Sequence, residues 1–389
     1  MACEHRRSAR IAIHYTPALT QTAGIGRYTR GLVAALARLP APGDMQFCLF
    51  VMGRPPEVRS WPAHFTGHTV PISELTMVRL WYRLRIPLPA EWLTGPVDLY
   101  HSPDYVLPPL RRAAGVVTVH DLSFLRVPTC ADPRLRAFLA AEVPKAVARA
   151  AHVLADSEST RRDVIELLGV PPEKVSVVPA GIGPEFHRIE DEARLTAVRI
   201  RYGLPQRFIL SVGKLEPRKN FVRLIQAYAL LRRRWAPPHH LVIVGERGWL
   251  YEDILREPDR QGIAGWVHFP GFVADEDLPA VYSLADAFAF PSLYEGFGIP
   301  PLEALACGVP TVVADNSSLP EVVGDAALRV PAEDVKALAE ALDRLLRDQL
   351  WRERMRSAGP AQASRFTWEA AAEKLLAAYR QTLGEGGRR

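Results

Sequence analysis

Short β-branched and aromatic runs alternate with helical stretches along this chain, and the series occurs twice. The first series is ARIAIHY (9–15), MQFCLFV (45–51), GVVTVH (115–120), HVLADS (152–157) and VSVVPA (175–180). The second restarts after residue 205 with RFILSVG (207–213), HHLVIVG (239–245), GWVHFPG (265–271), ADAFAF (285–290) and VPTVVAD (309–315). Strands separated by helix-length intervals pair in parallel, because a helical crossover returns the chain to the same end of the sheet. Two series therefore predict two α/β sheets, one per half. The length of 389 residues agrees, since single cores stop growing at about 250–300 residues.

Between the series, GIGPEFHRIEDEARLTAVRIRYGLP (181–205) is polar and has Gly and Pro at both ends, so it reads as the linker. This divides the chain into a first domain over 1–190 and a second over 191–367. The remaining segment, 368–389, places Leu375, Leu376 and Tyr379 at helical spacing and is expected to be a C-terminal helix returning to the first domain.

Composition narrows the partners. The chain is 48% hydrophobic and 23% charged, and no apolar run reaches the roughly 20 residues that span a bilayer. Its start, MACEHRRSARIAIHY, lacks the apolar stretch of a signal peptide, which points to the cytoplasm. Cys3, Cys48, Cys130 and Cys307 form no CxxC pair, so neither a disulfide framework nor a zinc site is indicated. A net charge of +5 favours anionic partners, but no zinc-finger spacing, RNP-type aromatic motif or dense basic block points to nucleic acid. In MVRLWYRLR (77–85), Val78, Leu80, Trp81 and Leu84 are interleaved with Arg79, Arg83 and Arg85. That pattern fits either a core helix with a basic edge or a segment lying on an anionic membrane.

The densest chemical signal is ADAFAFPSLYEGFGIPPLEALACGVP (285–310), a buried strand, a glycine loop and a short helix. Pro300 and Pro301 suit the first helical turn, and Gly308 with Pro310 ends the helix after about two turns. Glu303 is expected in that first turn, with Glu295 on the loop before it. Gly296 and Gly298, flanking Phe297, let the backbone approach a ligand, and the helix-start amides offer a diphosphate site. In SVGKLEPRKNF (211–221), Lys214, Arg218 and Lys219 follow the carboxyl end of a strand, where they suit a diphosphate or form a solvated charge cluster.

In the first half, Gly24 and Gly26 precede a helix, but Thr29 stands where the dinucleotide fingerprint has its third glycine, which disfavours NAD. His120 and Asp121 end the strand of VTVHDLSFL (117–125), a position for ligand contact or for a hydrogen-bonded structural histidine. His101 is a weaker instance, and His14 is read as supporting the cleft wall.

The order GIGRY, VHDLSF, SVGKLEPRKN, LVIVGERGWL, VHFPGFV, then SLYEGFGIPPLEALACGVPTVVADNSSLPEVVGDAA closely resembles glycosyltransferase family 4, in particular bacterial mannosyltransferase-like members. The resemblance covers roughly residues 9–383, and Glu295 with Glu303 is its most specific part. It implies a GT-B architecture: two Rossmann-like domains facing across a cleft, the first for the acceptor and the second for a nucleotide sugar. It further implies that Glu303 binds the donor ribose, that Glu295 faces the transferred sugar, and that His120 lies near that sugar and the scissile bond. Gly24, Gly26 and Lys219 would approach the diphosphate. Many members have Gly-Arg where this chain has Gly213-Lys214, so the arginine's role falls to Lys214 or Arg218.

The implied reaction is retaining transfer of a hexose, mannose first, from GDP-mannose or a UDP-sugar to a glycan or lipid-linked acceptor. Breaking the anomeric bond needs charge stabilisation more than a strong base, and no DxD-like pair at a strand end suggests a metal, so no cofactor beyond the nucleotide sugar is expected. Spacing leaves open whether Glu295 orients or attacks. The competing readings are a GT-B-type epimerase or phosphorylase, and a non-catalytic nucleotide-sugar-binding protein.

Overall fold

Strands β1 (Ala9–His14), β2 (Met45–Met52), β3 (Phe65–Val70), β4 (Leu99–Ser102), β5 (Ala114–Val119), β6 (His152–Ala155) and β7 (Val175–Val177) form one sheet. Its order is β3-β2-β1-β4-β5-β6-β7, with every pairing parallel. The second sheet contains β8 (Phe208–Val212), β9 (His240–Val244), β10 (Val267–Gly271), β11 (Ala287–Phe290), β12 (Thr311–Ala314) and β13 (Leu328–Val330). It too is all parallel, in the order β10-β9-β8-β11-β12-β13. The computed structural model describes residues 8–21, 24–53 and 61–386, so Cys3 lies outside the described residues.

In each sheet the strand order reverses beside the first strand of its series, between β1 and β4 and between β8 and β11. Loops leaving such a strand pair run to opposite faces and open a crevice at the carboxyl ends, where parallel sheets hold ligands. The inner strands β4, β6, β11 and β12 are buried along their whole length, as AFAF and TVVA of β11 and β12 require for strands covered on both faces. Against the second sheet, Leu224, Ile225 and Tyr228 of helix Phe221–Trp235 pack with Leu338, Leu342 and Leu345 of helix Val335–Arg347.

The chain divides into two units: residues 1–122, 137–181 and 368–389 in one, and 123–136 with 182–367 in the other. The division at 181 differs from the expected 190, and 181–205 is not a free linker. Phe186 and Ile189 are buried in the second unit, where Ile189 N–H donates to Ser283 Oγ at 2.8 Å and the Phe186 ring packs on Tyr282. Helix Glu192–Tyr202 then buries Leu195 and Val198. A few apolar anchors inside a polar stretch were enough to dock it. Segment 123–136 also belongs to the second unit, where Trp249 Nε1 donates to the Cys130 carbonyl at 2.7 Å. Helix Trp368–Gly386 groups with the first unit, and Leu375, Leu376 and Tyr379 are buried.

Residues 77–85 do not make one α-helix. Helix Glu74–Val78 runs into a π-helical turn over Arg79–Arg83, which buries Met77 and Trp81 and leaves Leu84 exposed. Cys48, Cys130 and Cys307 are free and buried.

Candidate active site

After β8 the chain passes through Gly213–Glu216 into a 3-10 turn, Pro217–Lys219. Asn220 follows in the left-handed region, with φ +61°, and starts helix Phe221–Trp235. Its Nδ2 donates to the carbonyls of Pro291 (2.9 Å) and Ala332 (2.7 Å), and Leu293 N–H donates to the Arg218 carbonyl at 2.8 Å. The loops leaving β8 and β11, the two strands at the switch point, are thereby tied together. A third loop, after β12, holds them: Asn316 Nδ2 donates to Ser292 and Leu293 carbonyls, and the one proton of Ser318 Oγ is shared between those of Glu295 and Phe297.

This framework gathers a row of alternating charges. Glu295 Oε1 accepts from Lys219 Nζ at 2.7 Å, and its Oε2 lies 2.9 Å from Arg218 Nη1. Arg218 Nη2 in turn donates to Glu216 Oε1 at 2.7 Å, and its Nη1 also donates to the Tyr294 carbonyl. Glu216, Glu295 and Lys219 are all buried. Burial works against charge on Glu295, but the Arg218 and Lys219 cations outweigh it and hold the carboxyl at about 2. Two acids and two bases cancel, which is how four charges survive with so little water. Lys214 is exposed and has no ion pair or hydrogen bond among the described residues.

Helix Ile299–Ala306 starts at Gly298, whose φ of +111° no residue with a Cβ adopts comfortably and whose added Cβ would stand 2.8 Å from Leu319 Cδ2. Glu303 therefore falls in the second turn, not the first. It is fully buried, and its Oε2 accepts from Tyr282 Oη at 2.8 Å. The helix start offers fewer amides than a first turn usually does, because Pro300 and Pro301 carry no N–H. Gly296 and Phe297 are buried beside Glu295, the Phe297 ring packing edge-on against Phe366.

In the first unit, His120 is held at both ring nitrogens: Nδ1 lies 2.8 Å from Asp156 Oδ2 and Nε2 lies 2.7 Å from the Pro103 carbonyl. A carbonyl can only accept, so Nε2 carries a proton, and the carboxylate favours a second one on Nδ1. Burial pulls the imidazole pKa down, but the Asp156 charge and hydrogen bond, with Asp104 and the Pro103 carbonyl, lift it to about 9. Burial also raises the Asp156 carboxyl, against the pull of His120, but the two nitrogen contacts favour an imidazolium at His120 held in place by Asp156 and Pro103. His101 is structural, bonded to Tyr379 Oη at 2.7 Å and Thr118 Oγ1 at 2.9 Å. Gly24 and Gly26 lie inside the first turn of helix Gly24–Arg38, not before it. A Cβ on Gly26 would stand 1.9 Å from the Gln21 carbonyl oxygen, so close approach of the chain to itself already requires that glycine.

These geometries meet an independent comparison. Residues 22–186 match the family model described as Glycosyltransferase Family 4, and residues 199–362 that of Glycosyl transferases group 1. O-antigen chain mannosyltransferase B of Escherichia coli is 34% identical over 302 residues, which are 77% of this chain and 79% of that protein. The chain belongs to glycosyltransferase family 4. The glycosyltransferase is also 33% identical over 255 residues to the serotype-specific mannosyltransferase WbdA of Escherichia coli, covering 65% of this chain and 31% of WbdA. Its two sheets superpose on sucrose-phosphate synthase of Thermosynechococcus elongatus with a TM-score of 0.74, over 97% of this chain and all of that one, at 21% identity. That likeness shows the GT-B fold.

Within this glycosyltransferase the structure brings together Glu295, Arg218 and Lys219, leaves Lys214 exposed, and pairs Glu303 with Tyr282. Sequence reasoning passed over Glu216, Asn220 and the Asn316-Ser317-Ser318 run. Their signals were present: an acid inside a cationic loop, an asparagine at a helix start, and successive short polar side chains after a strand.

Proposed function

We propose that this glycosyltransferase moves mannose from GDP-mannose, with a UDP-sugar as the second donor candidate, to a hydroxyl of a glycan or lipid-linked acceptor, with retention and without a metal. The carrying observation is the Glu295 carboxylate held between Arg218 and Lys219 at the second switch point. Buried cations with a carboxylate as partner suit an anionic diphosphate, and similarity to two mannosyltransferases of Escherichia coli supports the choice of sugar.

In this reading Lys219 and Lys214 bind the diphosphate, since Arg218 is engaged by Glu216, Glu295 and the Tyr294 carbonyl. The anomeric C–O bond breaks, the leaving phosphate oxygen takes the acceptor's proton, and the acceptor oxygen bonds to the same face of the sugar. Glu295, ionised at neutral pH, orients the sugar hydroxyls and stabilises positive charge on the ring. Glu303, oriented by Tyr282, takes the ribose hydroxyls. His120, with both nitrogens engaged, acts as a fixed positive charge and not as a base.

Incubation with GDP-mannose and UDP-hexoses, with and without EDTA, tests this. Nucleotide release from GDP-mannose unchanged by EDTA, with an α-linked product by NMR, is the expected result. Loss of turnover to EDTA with recovery on adding magnesium or manganese, or an inverted product, overturns the mechanism.

The proposal extends to an acceptor at a membrane surface. Among the described residues no helix is long and apolar enough to cross a membrane, yet Leu75, Leu84 and Trp92 are exposed in the segment that also exposes Arg79, Arg83 and Arg85. Apolar and basic side chains in one segment suit an anionic bilayer. Co-sedimentation with anionic but not neutral vesicles is expected; equal pelleting with both, or none, removes this part.

A further inference from the structure

The first sheet's switch point holds side chains that the donor chemistry leaves unused. His14 ends β1 and Asp104 follows β4, the two neighbours at which the strand order reverses. Glu74 begins helix Glu74–Val78, where Ser73 caps the first turn by accepting from Thr76 N–H. Gln21, just after the short helix Thr16–Thr20, donates from Nε2 to Asp104 Oδ2 at 3.1 Å.

His14 is 7% exposed, and its buried Nε2 makes no hydrogen bond. Glu74 Oε1 is the atom it points toward, at 3.6 Å, just beyond hydrogen-bond reach. Burial pushes the His14 imidazole down to about 4 and the Glu74 carboxyl up to about 7, with the charge of Asp104 adding to the second effect. Near neutral pH, then, His14 has no charge with which to satisfy Glu74. Buried polar atoms are seldom left without a partner, and a ligand hydroxyl supplies one that can donate and accept at once. The group is also reachable, since the Glu74 side chain is 31% exposed.

We propose that His14, Glu74 and Asp104 form the acceptor subsite, and that its occupant is an uncharged, polyhydroxylated sugar terminus. Hydroxyls donate to the two carboxyl groups and complete His14 Nε2. A phosphorylated acceptor is disfavoured by the charges present: Glu74 feels Asp104, and the cation acting on Asp104 is His120, which Asp156 already engages. The proposal rests on glycosyl transfer, and the test below separates the two.

Saturation-transfer NMR on the full chain reads binding of a methyl α-mannobioside whether or not turnover occurs. Calorimetry with GDP reads the second unit in the same preparations. The wild type should bind the neutral disaccharide at least about tenfold better than mannose phosphate. Glu74→Ala should weaken disaccharide binding by about tenfold or more with GDP affinity within twofold, and Glu74→Gln, which keeps an accepting oxygen, should lose less. His14→Ala should act in the same direction. Equal disaccharide binding by Glu74→Ala and the wild type overturns the subsite, as does no disaccharide binding by the wild type. Mannose phosphate bound as well as the disaccharide overturns the neutral class. A wild type that binds disaccharide but neither GDP nor UDP sinks the nucleotide-sugar reading and leaves the subsite standing.

Discussion

The two sheets share a strand order over six strands, the first adding β7 at its edge, and their switch points are furnished in opposite ways. In the second, Glu295 sits between Arg218 and Lys219, and Glu216 completes a row whose charges cancel. In the first, His14 and Glu74 stand 3.6 Å apart with no hydrogen bond between them, and burial moves both toward their neutral forms. A common backbone geometry thus fixes where ligands go and leaves open what they are. On the proposed reading, cations that bind a diphosphate are neutralised while it is away, and carboxylates do that. Groups proposed to meet a neutral sugar can wait unpaired, because the cost of one missing hydrogen bond is far smaller than that of a bare buried charge.

The largest predicted effect breaks the charged site. Glu295→Gln removes the carboxylate where positive charge is expected to develop, so kcat should fall by about two orders of magnitude or more. GDP should bind no more weakly, because Arg218 and Lys219 lose the carboxylate that competes for them. Steady-state kinetics and GDP calorimetry on the folded variant decide this. A tenfold weaker GDP complex with kcat intact would show that Glu295 serves the nucleotide and not the sugar.

Glu303→Gln sharpens the same side of the comparison with a different signature. If the carboxylate holds the ribose equally in ground and transition states, donor KM rises roughly ten- to hundredfold while kcat stays within a few-fold. Tyr282→Phe, which removes the 2.8 Å donor to Glu303, should raise donor KM in the same direction by a smaller factor. A loss confined to kcat in either variant would place Glu303 at the reacting sugar.

The sequence carried the fold well where burial is two-sided. Among the described residues ten of the thirteen strands follow the apolar runs, most of them because largely buried strands read as nearly continuous hydrophobics; β7 and β10, edge strands with one buried residue each, are the exceptions. β3 was missed for the converse reason: it is an edge strand in which only Phe65 is buried, so FTGHTV has no apolar signature. LYHS of β4 and LRV of β13 are too short to show a period. The charged side chains of the candidate site were legible because lysine, arginine and glutamate at strand ends have few structural uses. Their pairing was not legible, since nothing in the spacing says that Glu295 meets Arg218 and Lys219. The His14–Glu74 pair was further out of reach, since it joins residues sixty positions apart through the packing of a short helix.

The smallest effect tests whether charge compensation can be found in the first unit as well. His120 and Asp156 are its counterpart to the Glu295 row, a buried pair 2.8 Å apart in which both imidazole nitrogens are engaged and Asp156 Oδ1 is left without a hydrogen bond. The folded-state pKa of His120, about 9, lies above the unfolded value near 6.5. A raised pKa contributes stability that is fully present below pH 6.5 and is lost as pH rises through 9, by at most about 3 kcal/mol for such a shift. His14 is lowered to about 4 and His101 to about 3, and Glu74 is raised to about 7, so these groups titrate mainly below the window from 7 to 9. Asp156→Asn removes the anion and, with it, the reason for the second proton. Its melting temperature should lie several degrees below that of the wild type at pH 6.5, and the gap should shrink steadily toward pH 9.5. A gap that stays constant across the window would mean that Asp156 packs beside a neutral histidine. The fixed imidazolium would then be wrong, and the His120–Asp156 pair, at the ends of β5 and β6, would be no counterpart to the Glu295 row.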